Sequence, residues 1–124
     1  MKGSLTIVGL GPGAPELITP AVTDALKDST DIVGYSKYIE RVKDASGKSF
    51  HPSDNREEID RAELSINLAL QGKKVVVVSS GDPGVFAMAS AIFEVVDKKN
   101  ISIDDLSIVC LLYTSDAADE ITGV

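Results

Sequence analysis

The sequence predicts an α/β domain, a mostly parallel sheet of about four or five strands flanked by helices. Three observations carry that reading. Short apolar runs rich in β-branched residues recur along the chain, segments of helical period separate them, and the glycine-rich turns GLGPGAPELIT and SSGDPG follow two of the runs. Strands alternating with helices at this spacing form βαβ units joined by right-handed crossovers. Ligands of such sheets bind at the carboxyl ends of the strands, where both turns fall.

LTIVGL, residues 5–10, reads as a buried parallel strand closed by glycine. Thr19 and Pro20 look like an N-cap followed by proline at the first helical position. They open a helix that turns Ala21, Ala25 and Leu26 inward and ends near Asp28. DIVGY, 31–35, is a second strand, and SKYIERVKD a short helix. Residues 45–55 mix glycine, serine, proline and asparagine, so they read as loop with a brief edge strand at 48–51. His51 is expected at the surface. Across 57–71, Ile59, Ala62, Ile66 and Ala69 recur at helical spacing as one inward face, and Gly72 ends the helix. KVVVV, 74–78, is strongly strand-like, VFAMASAIFEVVDKK is a helix, and LSIV, 106–109, is a further short strand.

With 124 residues, 44% hydrophobic and 25% charged, the chain suits one soluble domain with a core rather than two. A net charge of −7 argues against a non-specific nucleic-acid binder, which needs a basic face for phosphates. The N-terminal apolar run is far shorter than the ~20 residues of a membrane span. One cysteine excludes a disulfide framework, and no cluster has zinc-ligand spacing. The expectation is a cytoplasmic protein without metal, nucleic-acid partner or membrane contact.

Gly9, Gly11 and Ala14 fit the loose dinucleotide pattern G-x-G-x-x-G/A, so a Rossmann-type nucleotide-binding module is one reading. Two features oppose it. A Rossmann helix begins within the glycine motif, and an acid ends the second strand; here Pro12 and Pro15 hold the chain extended to Thr19, and the second run ends in Gly34 and Tyr35. The first turn therefore brings bare backbone against a ligand without a phosphate cradle. SSGDPG sets Ser79, Ser80 and Asp82 directly after four valines. Asp82 reads either as the N-cap of the next helix or, facing the other turn, as one lip of a shared cleft.

These residues resemble the tetrapyrrole methylases, which transfer a methyl group from S-adenosylmethionine to porphyrin-like rings. GLGPGAPELIT is similar to that family's first-strand motif and SSGDPGVFAMA to its third-strand motif. VGYSKY at 33–38, EIDRAELSINLALQGKKV at 58–75, and Met88 with Ala89 resemble in particular the branch that methylates carbon 17 of precorrin-3B or its cobalt form in cobalamin synthesis. The resemblance covers residues 4–109. It implies the N-terminal half of a two-domain fold, truncated before the second domain, with the cofactor between the halves. Carried over by position, Pro12, Ser80, Gly81, Asp82 and Val85 line the S-adenosylmethionine site, while Gly9, Gly11, Gly13 and Tyr35 face the precorrin-type substrate. A homodimer is implied for the full-length relatives. Another member of the superfamily, acting on a different ring carbon, ribosomal RNA or diphthine, is the alternative.

Precorrins carry many carboxylates, so Lys37, Arg56 and Arg61 are candidate partners, with solvated surface charge the simpler reading of each. Related uroporphyrinogen methylases place an aspartate after the second-strand tyrosine, where this chain has Ser36, so no catalytic base is assigned. Residues 110–124, CLLYTSDAADEITGV, resemble translated sequencing-library adapter and are expected to be a non-native tail behind an incomplete domain at 1–109. Without the tail, 16 acids face 12 bases for a net charge of −4. The family's next motif, which holds the adenosine part of the cofactor, is due at Cys110, so this chain is expected to be inactive.

Overall fold

The computed structural model describes residues 3–10, 20–40, 42, 48–54, 58–79, 81–102, 106–112 and 119–122, with side chains at all of these except 82, 112 and 119–122. In chain order the elements are β1 (Gly3–Gly9), α1 (Pro20–Asp28), β2 (Asp31–Tyr35), α2 (Ser36–Glu40), β3 (Ser49–Ser53), α3 (Glu58–Leu70), β4 (Lys74–Ser79), α4 (Asp82–Lys98), β5 (Leu106–Leu112) and β6 (Asp119–Thr122). The strands form one sheet in the order β3-β2-β4-β1-β5-β6. The first five run parallel and β6 pairs antiparallel with β5. No helix among the described residues is long and apolar enough to cross a membrane.

The four valines of β4 explain its central place. Successive side chains on a strand point to opposite faces, so Val75 and Val77 enter one apolar layer while Val76 and Val78 enter the other. Both layers are closed by helices. The first is covered by α3, through Ala62, Ile66 and Ala69, and by α4, through Val85, Met88, Ile92 and Val95. The second is covered by Val22 and Leu26 of α1, with Ile39 and Val42. A strand apolar on both faces can be stable only when both are covered, as here.

Backbone approach is closest at two strand glycines. A Cβ on Gly3 would sit 1.9 Å from the Ala69 carbonyl oxygen, so glycine lets α3 lie directly on β1. A Cβ on Gly34 would meet Val78 Cγ2 at 2.5 Å, so glycine makes room for the β4 valine beside β2.

Several expectations are corrected. Ile59 does not face the core but is 42% exposed, because the buried stripe of α3 runs through Arg61, Ala62, Ser65, Ile66, Leu68 and Ala69. Asp82 is not the N-cap of α4: Gly81 takes that position in extended conformation, φ −170° and ψ −168°, and Asp82 is the first helical residue. His51 is half-buried instead of a free surface group, because parallel pairing of β3 with β2 brings its Nε2 2.9 Å from Asp31 Oδ2. The last parallel strand runs beyond Val109 to Leu112, since Cys110 and Leu111 find register partners in Ile7 and Val8.

Candidate functional site at the carboxyl edge of the sheet

The topology locates a crevice before any side chain is considered. β4 passes the chain to α4 on one face of the sheet, whereas its two neighbours, β1 and β2, pass it to α1 and α2 on the other. Adjacent parallel strands whose following helices depart to opposite faces leave a crevice at their carboxyl ends, the usual ligand position in such sheets.

The two glycine-rich turns start at that crevice side by side. Gly9 and Ser79 are register partners at the ends of β1 and β4. The Leu10 N–H donates to the Ser79 carbonyl at 2.9 Å, carrying the pairing one step past the strand. A Cβ on Gly9 would lie 3.1 Å from Val85 Cγ2 and 3.3 Å from the carbonyl carbon of Gly81. The end of β1 thus rests against the start of α4, and a side chain at residue 9 would press on it. Gly81 differs: its extended backbone suits any residue, and among the described residues a Cβ there would meet nothing within 4 Å. Among the described residues nothing gives a steric reason for glycine at 81.

Next to these turns lies a cavity of about 190 Å³, lined by Tyr35, Tyr38, Glu58, Arg61, Val78, Ser79, Gly84 and Met88. It opens between the ends of β2 and β4 and the starts of α2, α3 and α4. Tyr35 and Tyr38 pack edge to face, with ring centroids 5.3 Å apart and planes at 81°, an arrangement aromatic quadrupoles favour.

Arg61 is the largest departure from sequence expectation at the site. It is not a solvated surface charge but is 6% exposed. Its Nε donates to Ser53 Oγ at 2.9 Å, its Nη2 to the Asp54 carbonyl at 2.6 Å, and its Nη1 approaches Met88 Sδ at 3.7 Å. Burying a guanidinium demands such partners. They come from the end of β3, eight and seven residues back along the chain, and from α4, 27 residues on, so the helical period of α3 alone could not reveal them.

Of the residues singled out from the sequence, the structure brings Gly9, Gly81 and Val85 into one contact group and places Tyr35 across β4 from them. Val85 is fully buried beneath Gly9, so it forms part of the floor under the turns. Asp82 opens α4 beside Gly81. Lys37 lies on α2. Gly11, Pro12, Gly13, Ala14, Thr19, Arg56 and Ser80 lie outside the described residues. Tyr38 and Glu58 lie in the VGYSKY and EIDRA stretches that carry the family resemblance but were given no role of their own; Ser53 was not singled out and gained its place only through strand register.

A second polar group lies around Asp31, at the amino-terminal end of β2. Asp31 is 2% exposed, and its carboxylate takes a hydrogen bond from Thr30 Oγ1 at 2.8 Å as well as the His51 contact. Burial by itself would raise its pKa. The hydrogen bonds from His51 and Thr30 and the charges of Lys73 and His51 outweigh burial and hold the carboxyl below its ordinary range.

Fold and crevice together define an α/β domain with a crevice over the carboxyl ends of β1, β4 and β2. Residues 4–107 match the family of tetrapyrrole (corrin/porphyrin) methylases, and the chain belongs to that family. It is 50% identical over 94 residues to the cobalamin biosynthesis protein CobIJ of Mycobacterium tuberculosis, covering 76% of this chain and 18% of that one. Over 98 residues it is 44% identical to the precorrin-3B C(17)-methyltransferase of a Sinorhizobium species, covering 79% and 39% respectively. The crystal structure of the methyltransferase CobJ matches with a TM-score of 0.74 and 54% identity, over 80% of this chain and 41% of that one. The chain therefore spans less than half the length of these relatives.

Proposed function

We propose that this chain forms the first domain of an S-adenosylmethionine-dependent C-methyltransferase of cobalamin biosynthesis, acting at C-17 of precorrin-3B or its cobalt form. The observation that carries the reading is the meeting of the Gly9 and Gly81 turns over neighbouring strand ends, beside an aromatic-lined cavity. The names of the relatives from M. tuberculosis and Sinorhizobium support the choice of pathway and ring position.

The residues present fit the cofactor on one structural ground. Gly81 offers bare main chain at a position where, among the described residues, nothing asks for glycine. Pro12, Ser80, Gly81 and Asp82 would hold S-adenosylmethionine, with Val85 as the floor beneath; Gly9, Gly11, Gly13 and Tyr35 would face the tetrapyrrole. When bound, the cofactor supplies an electrophilic methyl on a sulfonium that carries its own leaving group. The chain's own part is then alignment and exclusion of water, a contribution that reaches ~7–11 kcal/mol when reacting groups are well oriented. The Gly9 contact with Val85 and Gly81 sets the spacing of the two turns, and the Tyr35–Tyr38 pair walls the adjoining space. A cytoplasmic homodimer for the whole enzyme, and a domain boundary at residue 109, belong to the same reading.

The test is a chimaera in which residues 4–109 replace the matching segment of the Sinorhizobium enzyme, incubated with methyl-labelled S-adenosylmethionine and precorrin-3B. Label in the macrocycle is the expected result. A folded chimaera that binds S-adenosylhomocysteine yet leaves the ring unlabelled would sink the proposal.

A further inference from the structure

We propose that Ser53 is a positioning residue for Tyr35, fixing that ring at the cavity and so shaping the substrate side of the site; its functional meaning rests on the reading above. Tyr35 ends β2 and lies between Gly34 and Ser36. Ser53, its register partner on β3, grips both neighbours. Its Oγ donates to the Gly34 carbonyl at 3.3 Å, and its carbonyl accepts from Ser36 Oγ at 3.1 Å. The same Oγ accepts from Arg61 Nε at 2.9 Å, which ties it to α3.

This arrangement compensates for a weak place in the sheet. β3 is an edge strand, and Pro52, the residue before Ser53, brings no N–H to the ladder. The carboxyl end of β3 is instead fastened by side chains, and the fastening points bracket Tyr35. An aromatic ring held in one orientation before a ligand arrives loses less freedom on binding. A flat macrocycle is the kind of substrate for which a fixed ring face matters, because aromatic contact depends on mutual orientation.

The test uses the whole chain labelled with 3-fluorotyrosine and needs no ligand. The sequence has three tyrosines, so three fluorine resonances are expected, and Tyr35→Phe assigns the relevant one. Packing against Tyr38 displaces the Tyr35 resonance from that of an unstructured tyrosine. Ser53→Ala is expected to move the signal toward the unstructured position and broaden it, while Ser53→Thr, which keeps the hydroxyl, preserves it. Lys48→Met, which weakens a different part of the fold, is expected to leave it in place. An unmoved Tyr35 resonance in Ser53→Ala overturns the proposal, as does an equal displacement in Lys48→Met. If Ser53→Ala does not fold, Ser36→Ala removes one grip alone, and an unmoved resonance there overturns it too. Because no cofactor or substrate is involved, failure here is distinct from failure of the methyltransferase reading.

Discussion

Around Asp31, at the amino-terminal end of β2, polar groups answer one another, whereas around Tyr35 and Ser79, at the carboxyl ends of β2 and β4, they line a cavity. Around Asp31, Thr30 Oγ1 donates to the carboxylate and accepts from the Lys74 N–H at 3.0 Å, His51 reaches the other carboxylate oxygen, and Lys48 Nζ donates to the carbonyls of Lys27 and Ser29 at 2.6 and 2.5 Å. Lys48 thereby serves the end of α1, where carbonyls lack helical partners and a cation is favoured. Around Tyr35 and Ser79 the sheet instead ends in a 190 Å³ cavity. A second cavity, of about 240 Å³, lies at the amino ends of β1 and β4 between Ser4, Thr6, Asp28, Ser29 and Lys74, so what distinguishes the carboxyl end is the meeting of Gly9 and Gly81 beside its cavity rather than space alone.

Substitutions can break that contrast, and the largest stability effect is expected from Gly3→Ala. The new Cβ would meet the Ala69 carbonyl oxygen, a backbone atom that cannot turn aside, so urea denaturation is expected to show a loss of about 3 kcal/mol. Asp31→Asn comes next, at about 2 kcal/mol near neutral pH, because two buried hydrogen-bonding arrangements lose their acceptor charge. Its pH dependence has a definite sign. The folded carboxyl titrates below its ordinary value of 3.8, so its contribution is fully present above that pH and is lost as acidification passes through the lower, folded-state pKa. The stability gap between the native chain and the variant, followed by urea melts across pH, is therefore expected to narrow below 3.8.

Lys48→Met removes the cation from the end of α1 and is expected to lower stability by about 1 kcal/mol in the same assay. Gly81→Ala is expected to change stability by less than ~0.5 kcal/mol, since its Cβ meets no described atom. It sharpens the contrast: at Gly3 the fold requires glycine, and at Gly81 the proposed ligand does. In the proposed enzyme, Gly81→Ala should weaken S-adenosylhomocysteine binding while the melt stays unchanged.

Much of the fold was legible because its strands advertise themselves locally. The four valines of β4, the DIVGY run of β2 and the proline start of α1 at Pro20 are signals within a few residues, and each element appears where they predict it. The site was legible only as two turns at the same edge. What lay beyond reach depended on how elements pack together: His51 meeting Asp31, Arg61 meeting Ser53, and Ile59 left outside a stripe that Arg61 enters. Arg61 shows the reason most clearly, since a charged residue is placed at the surface by default unless partners on the preceding strand and the neighbouring helix can be foreseen.

The claim on which everything else turns is that ligands enter over the carboxyl ends of β1, β4 and β2. Titrating the ¹⁵N-labelled chimaera that carries residues 4–109 in place of the matching segment of the Sinorhizobium enzyme with S-adenosylhomocysteine, and separately with NADH, tests it through amide shifts. The account predicts shifts at Gly9, Gly81, Val85 and Tyr35 with S-adenosylhomocysteine and none there with NADH. Shifts centred on Thr30, Asp31 and Lys74, or an NADH response at the glycine turns, would contradict it.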